Sequence, residues 1–248
     1  MAGKFLRGAL VSFSETFPLP VPNVIVFQYN PETMTHQWQP AATGGALSTT
    51  QGATPPQEGG EDFRSNPLAV TGQPGESFAF TLSLDSNDMI ADGNAVSSTL
   101  AEASGVYTRL AALEMLLFPV SQTGGGLIGS ISAALGALGS GGGKPKTAIP
   151  NSVLPTVLFV WGPGRILPVR VTALTTTERL YDATLLNPTH AEVSIVLRVL
   201  TPQELQFIGG PLGTLASTAY STATTLRETL AIANLGNSVG DILGMLPV

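Results

Sequence analysis

The sequence predicts a mainly β protein, and three segments carry that prediction. Phe78, Phe80, Leu82 and Leu84 alternate with small or polar residues across 76–85. Ala191, Val193, Ile195, Leu197 and Val199 alternate in the same way. A period of two is the signature of a half-buried strand, because successive side chains point to opposite faces. The third segment, VIVFQYNPETM at 24–34, is rich in β-branched and aromatic residues and is stopped by Asn30-Pro31. Pro31 has no N–H to give a ladder.

Taken in order, residues 8–13 and 23–29 read as strands. Residues 32–39 resume as a strand, with Met34, His36 and Trp38 on one face. A loop is expected over 40–74, where turn dipeptides are frequent. After the strand at 76–85, residues 85–94 read as a turn. Val106, Leu110, Leu113 and Leu117 then recur at helical spacing, predicting one packed helix over 99–118 that ends at Pro119. Residues 123–148 form a Gly-rich insertion. Residues 153–161 and 166–174 read as a hairpin around Gly162-Pro163-Gly164. Residues 175–177 continue the second strand, and an irregular arm containing Leu180, Tyr181 and Leu185 closes at Asn187-Pro188. In the strand at 191–200, Val196 and Leu200 make the second face partly apolar, which fits packing on both sides. Residues 212–235 read as one helix that needs tertiary support, because threonine lowers its propensity. The expected organisation is a β domain over 1–205 and a C-terminal helical extension over 206–248.

The composition narrows the function. With 248 residues, 43% of them hydrophobic, the chain can bury a substantial core despite 28 Gly and 19 Pro. Only 11% of residues are charged. Such a surface is either covered by partners or built from Ser, Thr, Gln and Asn. The net charge of −6 and the scatter of 11 Lys and Arg argue against nucleic acid as a partner. Without cysteine there are no disulfides or thiolates, which fits cytoplasmic synthesis. The start of the chain reads as a strand rather than an export signal. No apolar run is long enough to predict a stable membrane span.

The search for catalytic chemistry finds little. His36 and His190 are the only histidines and nothing places them together. His36 fits a packed face and His190 a turn, so no catalytic, cofactor-binding or metal site is predicted. Asp85, Asp88 and Asp92 lack the calcium-loop pattern and read as a solvated connection. Gly141-Gly142-Gly143-Lys144 is followed by proline and lacks the phosphate-loop motif. No enzyme activity and no cofactor are expected.

Four segments in order resemble the tube-protein family of contractile, phage-tail-like injection systems. They are FQYNPETM at 27–34, ESFAFTLSLD at 76–85, PTVLFVWG at 155–162 and VRVTALTTTERLYDATLLNPTHAEVSIVLRVLTPQE at 169–204. The resemblance covers about residues 5–205. It implies a tube-type β-sandwich or small barrel that closes into a hexameric ring with its sheets joined edge to edge. The partners it implies are further copies of the chain and the inner-tube, spike and baseplate proteins of the same particle. Phe27, Tyr29, Asn30 and Pro31 would then set the early turn, and Asn187 and Pro188 the later one. Val193 and Ile195 would be fold or assembly positions. The Gly-rich insertion and the extension past 205 depart from a plain tube subunit. They suit a baseplate-proximal adaptor that starts the tube, with the bulk tube subunit as the alternative. Two other classes stay open. One is a monomeric β-sandwich binding glycan or protein through Tyr29, Trp38 and Trp161, although the same aromatics fit a core. The other is a membrane-active protein using residues 124–139 and the tail.

Overall fold

The computed structural model describes residues 6–14, 21–43, 70–91, 95–118, 120–121 and 152–245. The chain is mainly β, built on one seven-stranded antiparallel sheet with a few helices. The strands are β1 (Ala9–Ser14), β2 (Val21–Val26), β3 (Met34–Gln39), β6 (Gly75–Asp85), β9 (Thr156–Val160), β10 (Ile166–Tyr181) and β11 (Pro188–Val199), in the order β2-β1-β9-β10-β11-β6-β3. Two short pairs lie outside it: β4 (Ala42–Thr43) with β5 (Val70–Thr71), and β7 (Val120–Ser121) with β8 (Ser152–Val153). The helices are α1 (Ser86–Ala91), α2 (Ala95–Ser104), α3 (Tyr107–Glu114), α4 (Pro202–Leu205) and α5 (Gly210–Met245).

The alternating segments are central strands. On β6, Phe78, Phe80, Leu82 and Leu84 are buried; on β11, Ala191, Val193, Ile195, Leu197 and Val199 are. The register sets Val193 opposite Leu82 and Ile195 opposite Phe80. The four larger apolar residues of β11 contribute on the order of 6–12 kcal/mol of burial, set against chain entropy.

The sheet is open, since β2 and β3 are not paired, but it is strongly curled. β9 and β6 are three positions apart, about 14 Å in a flat sheet. Their rings nevertheless meet: Phe159 lies 5.4 Å from Phe78 and 5.7 Å from Phe80. Phe27, which follows β2, reaches Phe80 at 5.5 Å from the far side. Gln28 holds this approach like an extra peptide unit. Its Nε2 donates to the Asp85 carbonyl at 2.8 Å, and its Oε1 accepts from the Asp85 N–H at 3.0 Å.

Helices complete the core. Leu110 and Leu113 of α3, with Val106 before it, pack into the cluster, and so does Ala223 of α5. The single helix expected over 99–118 is broken at Gly105, whose φ is +59°. The helix cannot continue through a left-handed residue, so the apolar spacing spans two helices. The turn expected at 85–94 contains α1. The arm expected beyond 177 is shorter than predicted, because β10 stays paired with β11 as far as Tyr181 and only 182–187 connect them. His190 lies within β11 rather than in a turn. The C-terminal helix exceeds the predicted 212–235 at both ends. The Gly-rich insertion and most of the 40–74 loop lie outside the described residues.

Candidate assembly surface

Phe27, Asn30 and Pro31 build the junction after β2. Phe27 is buried, and its N–H donates to the Gly8 carbonyl at 2.8 Å. The Asn30 side chain spans the chain entering β1: Oδ1 accepts from Gly8 N–H and Nδ2 donates to the Leu6 carbonyl, both at 2.9 Å. An asparagine amide offers both a donor and an acceptor, as this bridge requires. Pro31 is half-buried beside it and Tyr29 is exposed.

Asn187 and Pro188 lie at the other junction. Asn187 Nδ2 donates to the Ala103 carbonyl at 2.9 Å, and the Pro188 carbonyl accepts from Val106 N–H at 2.9 Å. Both ties run to the break between α2 and α3. The connection itself is organised by Asp182, whose Oδ2 accepts from the N–H groups of Thr184 and Leu185 at 3.0 and 2.9 Å. Leu180 and Leu186 have φ of +55° and +57°, costly for leucine. Both are exposed, together with Tyr181 and Leu185, so the hairpin end presents a fixed apolar tip.

Val193 and Ile195 are almost wholly buried within their own subunit. They bring no side chain to the surface. The surface feature is on β10. Residues 166–169 pair with β9 on one side, while pairing with β11 runs on to Tyr181. From Arg170 onward, no strand among the described residues pairs with the β9 side of β10. Most of 172–181 is exposed. Among the described residues no strand pairs with the outer edges of β2 and β3, and Val24 and Val26 are exposed on β2.

The two histidines belong to separate structural clusters. Glu76 is buried, accepting from Arg227 of α5 and bonded to His36 Nε2 at 2.9 Å. The His36 ring stacks on Phe78 at 4.3 Å, and the Arg227 guanidinium lies 5.0 Å from the Trp38 ring centre. His190 pairs instead with Asp85 at 3.5 Å. His36 sits opposite Phe78 and His190 opposite Asp85, so about 24 Å of strand separates them. Among the described residues, no group of three or more His, Asp or Glu could hold a metal. Glu204 is held below its usual value near 4.5: burial pushes it up, but hydrogen bonds from Arg198 and Thr201 outweigh that. An open groove of about 410 Å³ lies beside it, with Arg170 and Arg198 facing each other across the strands and Phe207 on its wall.

Of the aromatics proposed as a glycan platform, Trp38 lies against Arg227, and Trp161 stacks on Phe159 at 6.1 Å. Among the described residues, no helix is long and apolar enough to cross a membrane. Gln28 and Arg227 had no local sequence signal, because their partners are 57 and 151 residues away. No protein-family model matches the chain, and no curated protein matches it.

Proposed function

We propose that this chain is a non-enzymatic structural subunit of a contractile, phage-tail-like injection system. It forms a hexameric ring with a tube-type β fold, linking the spike-bearing baseplate to the inner tube. The family resemblance of the four segments supplies the identity of the machine. The observation that carries the assembly is the free edge of β10. A long unpaired edge is a template for another strand and a liability when left open. Between Arg170 at one end and Glu178 and Arg179 at the other, this edge carries an uncharged run, 171–177, with no proline. The edges of β2 and β3 offer the complementary surface that a heterologous, ring-closing contact needs. Synthesis and assembly are placed in the cytoplasm. The adaptor position follows from the Gly-rich insertion and the long α5, which a plain tube subunit would lack.

The test is the double variant Thr175→Lys, Thr177→Lys. Both positions are exposed, so the fold should hold within about 0.5 kcal/mol. Electron microscopy and light scattering should find rings for the wild type and folded monomers for the variant. Rings that persist in the variant would exclude the β10 edge. A wild type that stays monomeric at every concentration would exclude the ring.

A further inference from the structure

We propose that the groove where β9 leaves β10 binds an extended segment of another protein, which sets an acidic side chain on Arg170 and an apolar one beside it. The groove and the free edge of β10 begin at the same point. β9 pairs with β10 only as far as Val157 opposite Val169. Two residues earlier in the chain, Pro155 cannot extend the ladder, because it has no N–H to donate. The pairing of β10 with β11 also shifts register between Val171 and Ala173, a bulge of the kind that re-aims side chains or ends pairing. The fork is a groove of about 410 Å³, within the size range of binding sites.

Its charge is unbalanced. Arg170 lies directly opposite Arg198 on β11, and like charges in that position repel. Arg198 is neutralised: its guanidinium donates to both carboxylate oxygens of Glu204, at 2.5 and 3.2 Å. Glu204 also accepts from the N–H and the hydroxyl of Thr201, at 2.9 and 3.1 Å. Four bonds fill the capacity of a carboxylate, so Glu204 has nothing left for a second arginine. Arg170 is exposed, and among the described residues its guanidinium has no ion-pair partner. One carboxylate from outside would complete the site.

The rest of the wall is apolar. Leu154, Pro155, Leu200, Phe207 and Ile208 line it, and Phe207 is 89% exposed. A polyanion such as a nucleic acid would find a single uncommitted cation there. An extended peptide instead pairs with the free backbone of β10 and sends alternate side chains into the groove. Its acidic residue meets Arg170, and the residue two positions away meets the apolar wall.

The occupant is a different protein rather than a second copy. The outer strands β2 and β3 carry neither Asp nor Glu, so another copy's edge supplies no carboxylate. The segment takes the start of the β10 edge, Arg170 to Leu174, and leaves Thr175 to Tyr181 for contact between copies. It therefore does not rest on the ring.

The test uses the full chain and two labelled probes, acetyl-Val-Thr-Glu-Thr-Val-amide and its Gln counterpart, followed by fluorescence anisotropy. The Glu peptide should bind about fivefold more tightly than the Gln peptide, the worth of one partly exposed ion pair. Arg170→Gln should erase that difference while keeping the wild-type urea midpoint, because the side chain is exposed. Phe207→Ala should weaken both peptides alike. Equal affinity of the two peptides for the wild type, or binding of neither, would overturn the proposal. Inorganic phosphate binding as tightly as the Glu peptide would overturn it in favour of a free-anion site. Micrographs of the same samples keep the two proposals apart. Rings without peptide binding remove only the groove. Peptide binding by chains that never form rings removes only the ring.

Discussion

Gly105 shows how much one backbone angle decides. Its φ of +59° ends α2 and turns the chain so that Val106 N–H reaches the Pro188 carbonyl. A Cβ at Gly105 would collide with that same carbonyl oxygen. Gly105→Ala should therefore cost more than about 1–2 kcal/mol, combining left-handed strain with the collision. A urea midpoint unchanged from wild type would refute this. The apolar spacing through Val106, Leu110 and Leu113 gave no sign of the break, because periodicity records which faces are buried and not φ. Asn30 was legible as a stop to the strand. Its bridge to Gly8 and Leu6 was not, since both partners lie more than 20 residues away.

Elements with one apolar face could be read directly, and elements without one could not. β6 and β11 alternate because one face of each enters the core. The outer half of β10 has no apolar face, so its strand character comes from the ladder with β11. The entry to α4 was missed although it carries a local signature. Thr201 and Glu204 form a capping box, with Pro202 at the start of the helix. Arg198 adds an ion pair to the same carboxylate. Because the folded-state pKa of Glu204 is depressed, its contribution is fully present above the usual value near 4.5. It is lost as pH falls through the lower folded value. Between about pH 5 and pH 3, the urea midpoint of wild type should therefore fall more steeply than that of Glu204→Gln. Parallel slopes would show that the box adds nothing to folding.

At the scale of the whole molecule, the curl of the sheet determines which surfaces remain for partners. Phe27, Phe78, Phe80 and Phe159 converge inside the curl, and the β10 edge and the exposed Leu230, Ile232 and Leu235 of α5 are left outside. Neither outward surface depends on dense charge. Assembly should accordingly be insensitive to salt, with the same particle distribution in light scattering at about 50 and about 500 mM sodium chloride. Dissociation at the higher concentration would mean that ion pairs hold the copies together.

The sequence by itself determined the strands with a buried face, the β9–β10 hairpin, the Asn-Pro stop and the presence of a C-terminal helix. Each rests on near neighbours: side-chain alternation, a missing N–H, a helical spacing. Only the tertiary structure decided that β10 outruns β9, that Gln28 closes the curl onto Asp85 and that Val193 and Ile195 belong to the core. It also decided that α5 buries Leu212, Ala216 and Ala223 against its own domain while Leu230, Ile232 and Leu235 stay exposed. These depend on pairings between residues far apart in the chain, and the energy of a strand edge or a helix face is set by what lies beside it.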